Sequence, residues 1–152
     1  MKKTGASTIM VVEDNEDVRF MLKVALECKG YRVIEAANGW DAVGLVSRNR
    51  PDLILMDLRL PVLDGVEAAC LLREHEEFSD LPIIAITGHD SEESRADVRD
   101  VGFDEYIMKP IELGRLESAV ARLLNEMRDE TQAMVRHSSG PQTRAGFRRA
   151  EG

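Results

Sequence analysis

The chain has 152 residues, 43% hydrophobic and 32% charged, enough for one globular domain with a real core and too few for two. Its formal net charge is −8, yet the residues after Glu130 carry a local +3 from Arg136, Arg144, Arg148 and Arg149 against Glu151, so the preceding body holds the difference, −11. That body has the wrong sign for binding nucleic acid directly, and no run approaches the roughly 20 apolar residues needed to span a bilayer.

After the basic start Met1-Lys2-Lys3-Thr4, the apolar run is only Ile9 to Val12. It is too short for a signal peptide, so the expected location is cytoplasmic. Ile9 to Val12 reads instead as a short buried strand ending at Glu13-Asp14-Asn15. A helix follows, with Val18, Met21, Leu22, Ala25 and Leu26 at helical spacing and Gly30 as its stop. Tyr31 to Ala36 is a second strand. The next dipeptide, Asn38-Gly39, suits a hairpin turn, but Ala42, Val43, Leu45 and Val46 fit a helix over Asp41–Asn49 better than a returning strand.

Pro51-Asp52 introduces Leu53 to Met56, the most apolar strand, which ends at Asp57. A loop from Leu58 to Asp64 leads to a helix over Gly65–Glu76. Ile83 to Ile86 is a fourth buried strand ending at Thr87-Gly88, and Ser91 to Val101 is a charged helix stopped by Gly102. Phe103 to Met108 is a fifth strand ending at Lys109-Pro110. The last helix runs from Glu112 to about Met127, with Leu113, Leu116, Val120, Leu123, Leu124 and Met127 on one face. Cys28 and Cys70 lie in helical apolar patterns and are expected to be free, core-lining thiols; neither they nor the three isolated histidines have zinc spacing.

Five strand–helix repeats define an α/β fold: a doubly wound, five-stranded parallel sheet in a three-layer (βα)5 sandwich of flavodoxin-like type. Ligands in such sheets sit beyond the carboxyl ends of the strands. Here those ends bring Glu13, Asp14, Asp57, Thr87 and Lys109 to one edge. Singly, each has an ordinary structural role, such as capping the next helix. Together, three carboxylates repel one another unless one takes up a proton or a cation intervenes. A divalent ion with oxygen ligands resolves the conflict, and Mg²⁺ favours one or two carboxylates plus water and a phosphate.

At these positions the chain resembles the receiver domains of two-component response regulators (CheY-like). The matching segments are Val11-Val12-Glu13-Asp14-Asn15, Pro51 to Asp57, Leu60-Pro61-Val62-Leu63-Asp64-Gly65, Ile83 to Gly88, and Tyr106-Ile107-Met108-Lys109-Pro110. They stand in family order and cover roughly residues 8 to 127. The resemblance implies that Asp57 accepts a phosphoryl group from a sensor histidine kinase or a histidine phosphotransfer protein. It makes Asp14 a direct ligand of Mg²⁺ (or Mn²⁺) and Glu13 the holder of metal-bound water. Asp57 and the backbone carbonyl of Arg59 complete the metal set.

By the same resemblance Lys109 neutralises phosphoryl oxygens, Thr87 bonds to one of them, and Tyr106 swings inward as Thr87 moves. The Lys109–Pro110 peptide is expected to be cis. The output face would be the fourth helix, fifth strand and fifth helix, contacting a downstream protein or a second phosphorylated copy. Glu13 stands where many members have Asp, Leu60 replaces the more usual Met, and Phe103 a small residue. Arg59 and His89 occupy positions that govern water access to the phosphoryl group.

Two alternatives compete. Haloacid-dehalogenase-type phosphatases also use a strand-end Asp with Mg²⁺, Thr and Lys, but they carry a second Asp two residues on, where this chain has Arg59. A phosphorylation-independent binding module of the same fold would have dispensed with an acid, the Thr or the Lys, and all are present. The expected organisation is a receiver over residues 8–127 followed by a largely disordered tail over 128–152, poor in apolar residues, with no separate output domain and no membrane contact.

Overall fold

The computed structural model describes residues 5–88 and 92–138, and side chains within these outside 92–94 and 128–138. Strands β1 (Thr8–Val12), β2 (Arg32–Ala36), β3 (Leu53–Asp57), β4 (Ile83–Thr87) and β5 (Glu105–Met108) alternate with helices α1 (Glu16–Cys28), α2 (Gly39–Asn49), α3 (Gly65–Glu74), α4 (Glu92–Val101) and α5 (Leu113–Ser138). All pairings are parallel, in the order β2-β1-β3-β4-β5. The order reverses between β1 and β3, which opens a crevice at their carboxyl ends. The chain divides into two compact units, Met1–Val120 and Ala121–Gly152, with the boundary inside α5.

Strand pleating assigns side chains to faces. Met10, Val12, Ile54 and Met56 alternate onto the face that packs against Ala42 and Val46 of α2 and Ala68, Ala69 and Leu72 of α3. Ile9, Val11, Leu53 and Leu55 are equally buried and point the opposite way, and α1 buries Leu22 and Leu26 outside the first cluster. Helices therefore cover both faces, which is why β3 and β4 are buried at every position and read as unbroken apolar runs.

Local chemistry sets the helix ends. The Asn15 side chain caps α1 by accepting from the Val18 N–H, and Asn38 caps α2 through the Asp41 N–H. That cap settles Asn38-Gly39 as a helix start and begins α2 two residues before Asp41. Asp64 and Glu67 form a reciprocal capping box on α3. Gly30 and Gly102, with φ of +93° and +89°, end α1 and α4 in a conformation that side chains resist.

Four further expectations change. α3 stops at Glu74 and a 3₁₀ turn over Glu76–Phe78 follows. α5 continues past Met127 to Ser138, so residues 128–138 are helical where a largely disordered segment was expected, and residues beyond 138 lie outside the described residues. Cys28 and Cys70 are free but exposed. Cys28 lies two residues beyond Leu26, about 200° around α1, and Cys70 is turned about 100° from buried Ala69. Met21, expected in the core, is 39% exposed beside Phe20 and Val24.

Candidate functional site

The sheet register builds the site. Val12 is level with Met56, Asp57 with Ile86, and Thr87 with Met108, so Glu13, Asp57, Thr87 and Lys109 emerge side by side at the carboxyl edge. Carboxylate oxygens of Glu13, Asp14 and Asp57 all lie within 4.8 Å of one another. Glu13, Asp57 and Thr87 are buried, whereas Asp14 is exposed at the mouth. Lys109 enters between two of the acids, its Nζ standing 3.0 Å from Glu13 Oε1 and 3.0 Å from Asp57 Oδ2. The Lys109 N–H donates to the Thr87 carbonyl at 2.8 Å, and the Lys109–Pro110 peptide is cis.

Backbone donors hold the acids as well. Asp57 Oδ1 accepts from the Arg59 N–H and Glu13 Oε2 from the Asn15 N–H, both at 3.0 Å. Burial pushes the Glu13 carboxyl above the usual carboxylate range, and the charge of Asp57 adds to it. The Asn15 N–H and Lys109 pull it down but do not prevail. For Lys109, burial works against the ammonium. Hydrogen bonds to Glu13 and Asp57 outweigh it and raise its pKa above the ordinary lysine value.

The two shifts have one physical source. The pocket is negative and dry enough to disfavour the charge of its own acids and to favour the charge of the Lys109 ammonium between them. A folded Glu13 that keeps its proton better than the unfolded chain contributes stability at low pH and loses it as pH rises through its raised pKa. In the metal-free protein, the urea midpoint should therefore fall as pH rises from the usual carboxylate range up to that raised value. Glu13→Gln should flatten that limb, and an unchanged profile would contradict the electrostatic account.

Gly65, first residue of α3, lies directly against the phosphoacceptor candidate. A Cβ there would run into the Asp57 carbonyl oxygen and stand 2.8 Å from Leu58 Cα, all of it backbone with nowhere to move. Gly65→Ala should destabilise the fold by about 3 kcal/mol, at the upper end of overpacking costs. A urea titration reads this; a loss under 1 kcal/mol would mean α3 can slide away.

Tyr106 is half-buried on the edge strand, against the small cluster of Leu58, Ala85 and Val98, with the Arg95 guanidinium of α4 5.8 Å from its ring centre. Thus all five strand-end residues foreseen from sequence converge. Arg59 contributes an N–H to Asp57 and its side chain is exposed, while His89 lies outside the described residues. Asn15, Gly65 and Arg95 were not foreseen as parts of the site. Asn before a helix and Gly opening one were the available signals for the first two, whereas Arg95 sits in a charged helix with nothing to single it out.

The family model of the response regulator receiver domain matches residues 9–121, and the chain belongs to that family. It is 34% identical over 119 residues to the polar-differentiation response regulator DivK of Brucella anthropi, covering 78% of this chain and 97% of that one. It is 40% identical over 116 residues to the phosphate regulon transcriptional regulatory protein PhoB of Pseudomonas aeruginosa. That match covers 76% of this chain and 49% of PhoB, so it spans about half of that relative. Among solved structures, the receiver domain of sensor histidine kinase PA1611 from Pseudomonas aeruginosa, crystallised with a magnesium ion in its active-site cleft, aligns with a TM-score of 0.74. Identity is 36%, over 80% of this chain and 99% of that one. The chain is thus a receiver domain of the two-component class, made for signalling rather than turnover of a substrate. Among the described residues no helix is long and apolar enough to cross a membrane.

Proposed function

We propose that this receiver, over residues 8–127, is a switch turned on by phosphorylation of Asp57. The observation that carries the reading is the buried Asp57 carboxylate, with Lys109 at 3.0 Å on one oxygen and two further acids within 4.8 Å. The donor is a histidine kinase or a histidine phosphotransfer protein, as family membership implies. In-line transfer to a carboxylate asks for alignment and charge neutralisation more than for a base.

The donor set is all hard oxygen, which suits Mg²⁺ (or Mn²⁺), and the magnesium in the cleft of the PA1611 receiver supports the same choice. Asp14, Asp57 and the Arg59 carbonyl would hold it, with Glu13 binding its water. When bound, the ion neutralises phosphoryl oxygens. The remaining steps belong to the chain. Lys109 leaves its contact with Glu13 to face the incoming phosphoryl oxygens. The Thr87 hydroxyl donates to one of them, and the space it vacates admits Tyr106. Inward motion of Tyr106 breaks its stacking with Arg95, which transmits the change to the face of α4, β5 and the start of α5. A downstream protein or a second phosphorylated copy reads that face. Hydrolysis of the aspartyl phosphate resets it, with Arg59 and His89 at the positions that control water.

Incubation of the intact protein with Mg²⁺ and acetyl phosphate, followed by intact mass, tests the reading. One added phosphoryl group is expected, lost again on removal of the donor. No gain under conditions where Mg²⁺ binds would overturn it.

A further inference from the structure

Arg19 takes no part in the constellation above, yet its guanidinium reaches the site from behind. It lies one turn into α1, and its Nη1 donates to the backbone carbonyl of Glu13 at 2.8 Å. Its Nε pairs with Glu35 Oε1 at 3.1 Å, and Lys23 approaches the other oxygen of that carboxylate at 3.6 Å. Arg19 is only 16% exposed, far less than a surface arginine that answers to solvent.

The Glu13 carbonyl is the point where β1 leaves the sheet. The Glu13 N–H is still paired, to the Ala36 carbonyl at 3.0 Å, as if the strand continued. Its carbonyl, turned toward α1, is satisfied by Arg19. Glu13 is thereby held through both of its backbone groups, its N–H by the end of β2 and its carbonyl, which belongs to the Glu13–Asp14 peptide, by a guanidinium that β2's Glu35 orients. A third tie closes the turn: Asn15 donates its N–H to Glu13 Oε2, its side-chain Oδ1 accepts from the Val18 N–H in the first turn of α1, and the Arg19 N–H donates to the Asn15 carbonyl at 2.9 Å.

What this peptide aims is Asp14. Unlike Glu13 and Asp57, Asp14 is exposed, so packing does not fix its direction and its backbone must. We infer that Arg19 is a positioning residue for the Glu13–Asp14 acid pair, presetting the direction of the metal-binding carboxylates through the Glu13 carbonyl, with Glu35 as its orienting partner. The inference rests on the reading of the acid pocket as a cation site. A lysine reaches one of the two acceptors but cannot fork between them, so Arg19→Lys should be a partial replacement.

The test is calorimetric titration of Mg²⁺ into the intact, unphosphorylated protein and into Arg19→Ala, Arg19→Lys and Glu35→Gln, with thermal melts alongside. Arg19→Ala should weaken Mg²⁺ by about tenfold, the size of loss seen when a residue behind a metal ligand is removed. Arg19→Lys and Glu35→Gln should fall between it and wild type. Phosphorylation of Arg19→Ala by acetyl phosphate should return to near the wild-type rate at saturating Mg²⁺, since the reacting groups are intact. A wild-type Mg²⁺ affinity with only a lowered melting temperature would make Arg19 merely structural and overturn the inference. If Arg19→Ala does not fold, wild-type affinity in both milder variants does the same. Failure of the wild-type protein itself to bind Mg²⁺ would instead sink the reading of the pocket, and the inference with it.

Discussion

Asp57→Asn is expected to abolish the phosphoryl gain that wild type shows with acetyl phosphate and Mg²⁺, leaving only background by intact mass. The substitution preserves shape, and the amide oxygen still accepts one of the two bonds that Asp57 accepts from Lys109 and the Arg59 N–H. The fold should therefore survive, and a thermal melt close to wild type separates lost chemistry from lost structure. The amide also removes one of the three acids clustered within 4.8 Å, so Mg²⁺ should bind more weakly than to wild type. Phosphorylation of the variant at the wild-type rate would move the acceptor elsewhere; Asp14 and Glu13 would then be the residues to replace next.

Lys109→Met should produce the second large effect, and it should separate two roles of the same pocket. Methionine keeps much of the length and apolar stem while deleting the ammonium that bridges Glu13 and Asp57. Removing one preorganised donor from a transferring group typically costs about 10²- to 10³-fold in rate, and that loss is expected in autophosphorylation at saturating Mg²⁺. Mg²⁺ affinity should be no weaker, because the deleted cation competed for the same oxygens. The metal-free variant should lose about 2–3 kcal/mol, below the usual cost of breaking a buried pair because Lys109 is 29% exposed. Added Mg²⁺ should recover much of that loss. A variant that binds Mg²⁺ normally and phosphorylates at the wild-type rate would remove Lys109 from the chemistry.

These outcomes bear on how an acidic pocket is tolerated. Glu13 and Asp57 are buried together, and the pKa of Glu13 is raised by burial with Asp57's charge adding to it. Lys109 meets that charge in the resting protein, and a metal and then a phosphoryl group would rearrange it. The strain is local, and the unbroken apolar strands beneath it carry the fold.

Much of the site was legible in the residues alone. A parallel sheet places every strand's carboxyl end on one edge, so apolar runs ending in Glu13, Asp57 and Thr87 put those groups on the same edge, and the order β1-β3-β4 then makes them neighbours. Helix lengths were less legible. α2 begins early because Asn38 caps it, and α5 runs to Ser138 although its apolar face thins after Met127, since helical propensity in that stretch needs no buried stripe. The cysteines and Met21 were placed in the core because apolar spacing gives a face but not its width; only packing shows which edge of the stripe meets water.

The contacts that arginine side chains make between elements were not legible. Arg73 donates to the carbonyls of Phe78, Leu81 and Gly102 and to Asp104, tying the end of α3 to the start of β4 and the turn before β5. Nothing in the run Leu72-Arg73-Glu74 distinguishes it from a surface arginine. Arg19 behind Glu13 and Arg95 over Tyr106 are of the same kind. The sequence by itself determined which acids, hydroxyl and amine stand at one sheet edge, because strand periodicity and polarity are local properties. The tertiary structure decided how those groups are held, because a guanidinium's partners are carbonyls and carboxylates brought near only by folding. Such partners leave no periodic trace in the chain.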